Sequence, residues 1–192
     1  MNRILVLDTE TTTTNFRDPN CNDGPNGHIV EIGVVSLDLR TGNIEDVYHA
    51  ILKDPNATGN EWVYQNTDLK FKQPCYDAPD IVNAELMILL NKEPITAFNQ
   101  AFDRAMLERD FPDAVKWSMW AQDIMLAADA IDDIPRKVHD MTTGFRSYPS
   151  VQSTLNYLFP GQEIVEKHRA LQDARDEARI LFELYLRGLY KV

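Results

Sequence analysis

Short apolar runs alternate with polar, turn-rich stretches along the chain, and the spacing of the apolar positions changes from one part to the next. RILVLD, residues 3–8, is nearly continuous in Ile, Leu and Val; it is too short for a buried helix and predicts a central strand. HIVEIGVVSLDL has the same composition, and after the turn signal RTGN a third strand is expected in EDVYHAILK. Short connections make these three an antiparallel meander. Between the first two lies NFRDPNCNDGPNG, residues 15–27, whose Asn, Asp, Pro and Gly content predicts an irregular loop.

Further on the period lengthens. Residues 54–78 are mixed and polar, whereas 78–90 have helical spacing, with Ile81, Leu86 and Leu89 or Leu90 as inward positions. PITAF reads as a short fourth strand. Asn99 follows it as an N-cap, so AFDRAMLERDF is expected to be a helix burying Phe102, Ala105 and Met106. Helix is also expected across KWSMWAQDIMLAADAI and in SVQSTLNYLF, with residues 132–149 as a loop between them. The terminal element is the most regular: Leu171, Ala174, Ala178, Leu181 and Tyr185 mark one face of a helix ending near Gly188. A three-strand meander followed by helix, strand and helices is an α/β domain with a mixed sheet, and residues 1–192 read as a single domain.

Composition narrows the setting. At 192 residues and 44 % hydrophobic, the chain can bury a sizeable core. Cys21 and Cys75 have no Cys or His partner at zinc spacing, so neither a disulfide framework nor a zinc site is indicated, and a reducing, cytoplasmic location is the default expectation. The start does not read as a signal peptide, and no run of roughly 18 apolar residues suits a membrane span. A formal charge of −11 argues against a broad, sequence-independent grip on duplex DNA. It allows a small local footprint on a single-stranded end.

Acids stand at telling places. Asp8 and Glu10 end the first strand and, being two apart, point to the same side of it. Asp103 lies one turn into the helix after the fourth strand, and Asp173 lies early in the terminal helix with His168 five residues before it. Five helical residues turn through about 500°, so His168 is expected on the loop ahead of that helix. Carboxylates converging from separate elements, without Cys or clustered His, select hard ions such as Mg²⁺ or Mn²⁺. Metal ligation would explain why an apolar strand ends in two acids.

LDTET, AFNQAFDRAML and HRALQDA resemble, in order and spacing, the three motifs of the DEDDh 3′→5′ exonucleases, the DnaQ-like branch of the ribonuclease H-like fold. The resemblance extends over essentially the whole chain, since STLNYLF is similar to the helix that precedes the third motif. It implies phosphodiester hydrolysis with two divalent ions, Mg²⁺ or Mn²⁺, releasing nucleoside 5′-monophosphates. Asp8, Glu10 and Asp173 would hold the ion serving the attacking water. Asp8, with Asp103 directly or through water, would hold the ion beside the leaving 3′ oxygen. His168 would be the general base, a role suited to an imidazole because it titrates close to neutral pH.

One departure concerns the substrate. Where family members follow the first motif with Gly and a bulky apolar residue that wedges against the terminal base, this chain has Thr13 and Thr14, leaving Phe16 or Phe102 as stand-ins. Thr9, Thr11, Thr12, Asn99 and Phe102 are the candidate substrate-binding residues, although Thr11 and Thr12 suit a plain turn equally well. Asp123 resembles an aspartate that starts the helix after the second motif and reads as a cap or packing residue rather than a ligand. Glu31 is given a structural hydrogen-bonding role, and the charges of DARDEAR beyond Asp173 are read as a solvated helix face.

The leading expectation is therefore a metal-dependent exonuclease on single-stranded or frayed 3′ ends, with DNA placed slightly ahead of RNA trimming or oligoribonuclease activity. A subunit working through a polymerase or other repair protein is the alternative of a different class. A metal-dependent endonuclease would share the acids without requiring HxAxxDA.

Overall fold

The protein is described from a computed structural model, covering residues 2–13, 27–136, 138–140, 145–162 and 164–192. RILVLDTET forms β1 (Arg3–Thr11), the centre of a four-stranded sheet. It pairs antiparallel with β2 (Ile29–Asp38), which pairs antiparallel with β3 (Ile44–Ile51). On the other side of β1, β4 (Ile95–Thr96) runs parallel, giving the order β3-β2-β1-β4. The expected meander and mixed sheet are thus present. The loop expected over residues 15–27, including Phe16 and Cys21, lies outside the described residues apart from Gly27, and Thr14 lies outside them too.

Alternation along the strands explains why β1 is apolar from Ile4 to Leu7. Ile4, Val6, Val35 and Leu37 face one core, closed by α5 (Ile124–Ala128), α6 (Val151–Leu158) and α7 (Ala170–Leu186). Leu5, Leu7, Ile32 and Val34 face the other, closed by α2 (Pro79–Leu89), α3 (Gln100–Asp110) and α4 (Pro112–Val115). A sheet covered by helices on both faces needs apolar residues on both. No helix among the described residues is long and apolar enough to cross a membrane.

Several expectations need correcting. Ile81 is 59 % exposed, because α2 turns Val82 and Leu86 inward, with Leu90 buried just after it. The long helix expected across 116–131 is confined to α5. Residues 119–121 are extended and line the outer edge of β4: Ile95 N–H donates to the Met119 carbonyl at 2.8 Å, and Ala121 N–H to the Ile95 carbonyl at 2.8 Å. Satisfying that edge outweighs the local helical pattern. The loop expected over 132–149 contains two short paired strands, β5 (Val138–Asp140) and β6 (Phe145–Arg146). The polar stretch 54–78 contains α1 (Trp62–Asn66). Tyr185, assigned to the buried face of the terminal helix, is exposed, while Ala174, Ala178 and Leu181 are buried as expected.

The start of α7 packs closely on β2. A Cβ on Gly33 would lie 2.3 Å from the Ala170 carbonyl carbon and the Leu171 nitrogen, so only glycine lets the helix start settle onto the strand. Gly33 stands opposite Asp8 in the β1–β2 register, and this approach brings Asp173 beside β1. Gly33→Ala should therefore cost about 3 kcal/mol, the upper end for forced overpacking. Urea denaturation should show a lowered midpoint with an unchanged slope.

Candidate active site

β1, α3 and α7 each deliver acids to one place. Asp8 and Glu10 share a strand face that α7 covers, and Glu10 stands opposite Glu31 in β2. Asp103, in the first turn of α3, is fixed from β1: its Oδ1 accepts from the Thr9 hydroxyl at 2.7 Å and from the Thr9 N–H at 3.1 Å. Asp173, in the first turn of α7, accepts from the backbone N–H groups of Lys167 at 3.3 Å and Arg169 at 3.0 Å. Ligand atoms of Glu10, His168 and Asp173 lie within 4.8 Å of one another.

His168 precedes the α7 N-cap, as its spacing from Asp173 predicts, and has φ +51. This left-handed conformation is uncommon for a residue with a Cβ and needs support from its surroundings. Support comes from the next residue. Arg169 donates to Glu31 through Nε at 2.9 Å and Nη2 at 2.8 Å, and through Nη1 to Asp68 at 2.7 Å. Glu31, fully buried in β2, also accepts from Ala170 N–H at 3.2 Å and contacts His49 Nε2 at 2.7 Å. The structural role expected for Glu31 is thereby specified: it ties the His168 loop to the sheet. The imidazole of His168 meets the Trp62 ring edge-on at 5.0 Å, and its Nδ1 is 3.7 Å from Glu166 Oε1.

Electrostatics separates these acids into two groups. Burial would raise the Glu31 carboxyl, but hydrogen bonds from His49 and Arg169 prevail and hold it below its ordinary value. The converging acids go the other way. Burial, then Glu177 and Asp103, push Asp8 well up. Burial and the neighbouring Asp173 push Glu10 to about 8. Asp103 rises to about 7 because burial outweighs its bonds from Thr9, and Asp173 to about 6 through burial and Glu166. Crowded carboxylates with only partial hydrogen bonding are poorly balanced as a metal-free set at neutral pH. Their oxygen donors, with one imidazole and no thiolate, fit hard divalent ions such as Mg²⁺ or Mn²⁺.

Three residues near this site escape a reading of spacing and motif. Glu177 is only 2 % exposed and accepts from Phe98 N–H at 3.1 Å, while Asp176, 4 % exposed, bonds Gln172 and Arg179. The solvated face expected for DARDEAR is thus wrong at both positions. Glu177 is one turn beyond Asp173, and that i, i+4 relation was a usable signal. Trp62, 41 % exposed beside His168, comes from a polar stretch with no periodicity to mark it.

The remaining candidates are accounted for locally. Thr12 Oγ1 donates to Asp54 at 2.5 Å and accepts from His28 N–H at 2.8 Å, and the Thr11 hydroxyl donates to the Thr13 carbonyl. Asn99 occupies the α3 N-cap with φ +65, without a side-chain cap bond; its N–H instead donates to Asp123 Oδ1 at 3.2 Å. Asp123 caps α5, accepting from Met125 N–H at 2.8 Å, as its sequence position suggests. Phe102 is half-buried against the α2–α4 side of the core.

Solved structures share this architecture. The nuclease domain of 3′hExo, a DEDDh family member bound to rAMP, matches with a TM-score of 0.70 at 16 % identity, covering 97 % of this chain and 93 % of that one. A full-length 3′-exonuclease matches at 0.70 and 17 % identity over 98 % of this chain, which spans 62 % of its length. E. coli exonuclease I with a dA16 oligonucleotide matches at 0.64 and 16 % identity over 98 % of this chain and 42 % of that one. No protein-family model and no curated protein matches the sequence. The chain therefore shares the fold of these 3′-exonucleases, one of which is a DEDDh family member.

The raised carboxyls have a measurable consequence. An acid whose folded pKa lies above its unfolded value makes the native state bind more protons, so stability falls as pH rises through the interval between the two. For Asp173, Asp103 and Glu10 that interval runs from about 4 to about 8. The metal-free protein should therefore melt at a higher temperature at the acidic end of this window. Adding Mn²⁺ should raise the melting temperature most at the alkaline end, as scanning calorimetry with EDTA or Mn²⁺ would show.

Proposed function

We propose that this protein is a metal-dependent 3′→5′ exonuclease acting on single-stranded or frayed 3′ ends. The observation that carries this reading is the meeting of three motifs distant in sequence: Glu10 from β1, His168 and Asp173 from α7 and its approach, with Asp103 fixed against Thr9. The likeness to exonucleases solved with rAMP and with dA16 supports the nucleic-acid substrate class. In this reading residues 1–192 make one exonuclease domain.

Asp8, Glu10, Asp103 and Asp173 would hold two divalent ions. When bound, Mg²⁺ or Mn²⁺ supplies Lewis acidity toward the scissile phosphate and the attacking water. His168 takes a proton from that water at a ring nitrogen as the oxygen attacks phosphorus. The bond from phosphorus to the 3′ oxygen of the shortened strand breaks, and a nucleoside 5′-monophosphate leaves. Glu31 and Arg169 hold His168 through the chain, and Thr9 keeps Asp103 turned toward β1. Trp62, exposed and touching His168, presents an aromatic face for the terminal base where Thr13 and Thr14 provide none.

Matched 5′-labelled single-stranded DNA and RNA oligonucleotides, incubated with Mg²⁺, Mn²⁺ or EDTA, test the reading. A metal-dependent ladder shortening from the 3′ end is expected, and the faster substrate identifies the preferred sugar. His168→Ala and Asp8→Asn should each lower the rate by at least about 100-fold. Internal cuts would favour an endonuclease. Intact strands with either metal would favour a subunit that works through a polymerase or other repair protein.

A further inference from the structure

Residues 53–76, between β3 and α2, enclose a groove of about 480 Å³ that the hydrolytic site does not use. Its walls include Tyr64, Phe71 and Tyr76, and Lys53 and Lys72 stand exposed at its rim. The rings are held in place. The Tyr76 hydroxyl donates to the Phe71 carbonyl at 2.6 Å and accepts from Gln73 N–H at 3.1 Å. Phe71 meets Tyr64 at 5.3 Å with planes at 67°. Gly59, at φ +89, lets Phe71 sit where a Cβ would come within 2.8 Å of the ring.

The charges at this place run against the rest of the chain. The protein carries −11, yet neither Lys53 nor Lys72 joins an ion pair among the described residues. The one acid lining the groove, Asp54, is buried and has both oxygens engaged, Oδ2 by the Thr12 hydroxyl at 2.5 Å and Oδ1 by Asn56 N–H at 2.7 Å. A preformed aromatic recess with cations at its edge suits a planar base joined to a phosphate.

The groove also adjoins the catalytic end of the sheet. Asp54 is bonded to Thr12, two residues beyond Glu10. Tyr64 and Trp62 are two residues apart on α1, so they project about 200° apart around the helix. Trp62 rests on His168 while Tyr64 lines the groove, which makes α1 the partition between the two places.

We propose that this groove is a second nucleotide subsite, binding a base of the single strand upstream of the scissile bond, with Lys53 and Lys72 on the two phosphates that flank it. The proposal rests on the exonuclease reading and adds to it a length preference. The terminal nucleotide lies at the metal ligands, the strand crosses α1, and an upstream base enters among Tyr64, Phe71 and Tyr76. A dinucleotide ends before it reaches the groove.

The test compares a dinucleotide with a single strand of roughly ten nucleotides, using wild type, Lys53→Gln/Lys72→Gln and Phe71→Leu. The lysine variant alters only exposed side chains, so it remains informative should Phe71→Leu fail to fold. For the longer strand, KM should rise about tenfold with kcat unchanged, the dinucleotide being cut as by wild type. Losing two phosphate contacts should also flatten the slope of log affinity against log salt by about 1.4. Unchanged KM for the longer strand in the lysine variant, or an equal loss on both lengths, would overturn the subsite and leave the aromatic cluster as an anchor for residues 53–76. If wild type cuts neither substrate, the exonuclease reading fails on its own. Anisotropy of a labelled strand in EDTA then decides the groove: binding weakened by the lysine variant supports it, and no binding or unchanged binding overturns it.

Discussion

Mutual repulsion among buried carboxylates is the constraint around which this protein is arranged. Asp8, Glu10, Asp103, Asp173 and Glu177 come from β1, α3 and α7 into one partly dry volume, and each is pushed toward its protonated form. Bringing like charges together in low dielectric is unfavourable unless counter-charge arrives. The surroundings hold the acids in place without neutralising them: Thr9 bonds Asp103, the turn before α7 bonds Asp173, and Phe98 N–H bonds Glu177. Two arginines at the start of α7 are engaged elsewhere, Arg169 on Glu31 and Asp68 and Arg175 on Asp46. In the proposed reading, divalent ions would supply the counter-charge.

The same constraint explains features that otherwise look unrelated. Gly33 lets α7 descend onto β2 opposite Asp8, which sets the depth of Asp173. The Glu31–Arg169 pair sits at the same junction and secures the left-handed turn at His168. Glu31 is stabilised as a carboxylate because it is paired, whereas Glu10, opposite it in the register, is raised by burial and by the neighbouring Asp173. Two glutamates on neighbouring strands thus take opposite roles through their partners.

Much of this was legible in the sequence because it depends on local pattern. The apolar run ending in Asp8 and Glu10, the alternation of β2, and the spacing of Ala174, Ala178 and Leu181 each follow from a short-range period. The caps at Asp123 and Ser150 rest on side chains bonding nearby N–H groups, although only Asp123 was singled out in advance. What escaped depends on tertiary competition. Residues 119–121 abandon helix to satisfy the β4 edge, Ile81 turns outward although its spacing is apolar, and Asp176 and Glu177 are buried although their composition looks solvated. Trp62 had no periodic signal, since its position beside His168 arises from the packing of a polar segment.

The central claim is that these acids stay partly protonated until divalent ions replace the protons. Calorimetric titration of the metal-free protein with Mn²⁺ at pH 7, in two buffers of different ionisation enthalpy, measures binding and proton release together. The account predicts Mn²⁺ binding accompanied by net proton release that fades above the value of about 8 assigned to Glu10. Binding without proton release at pH 7, or no binding, would contradict it.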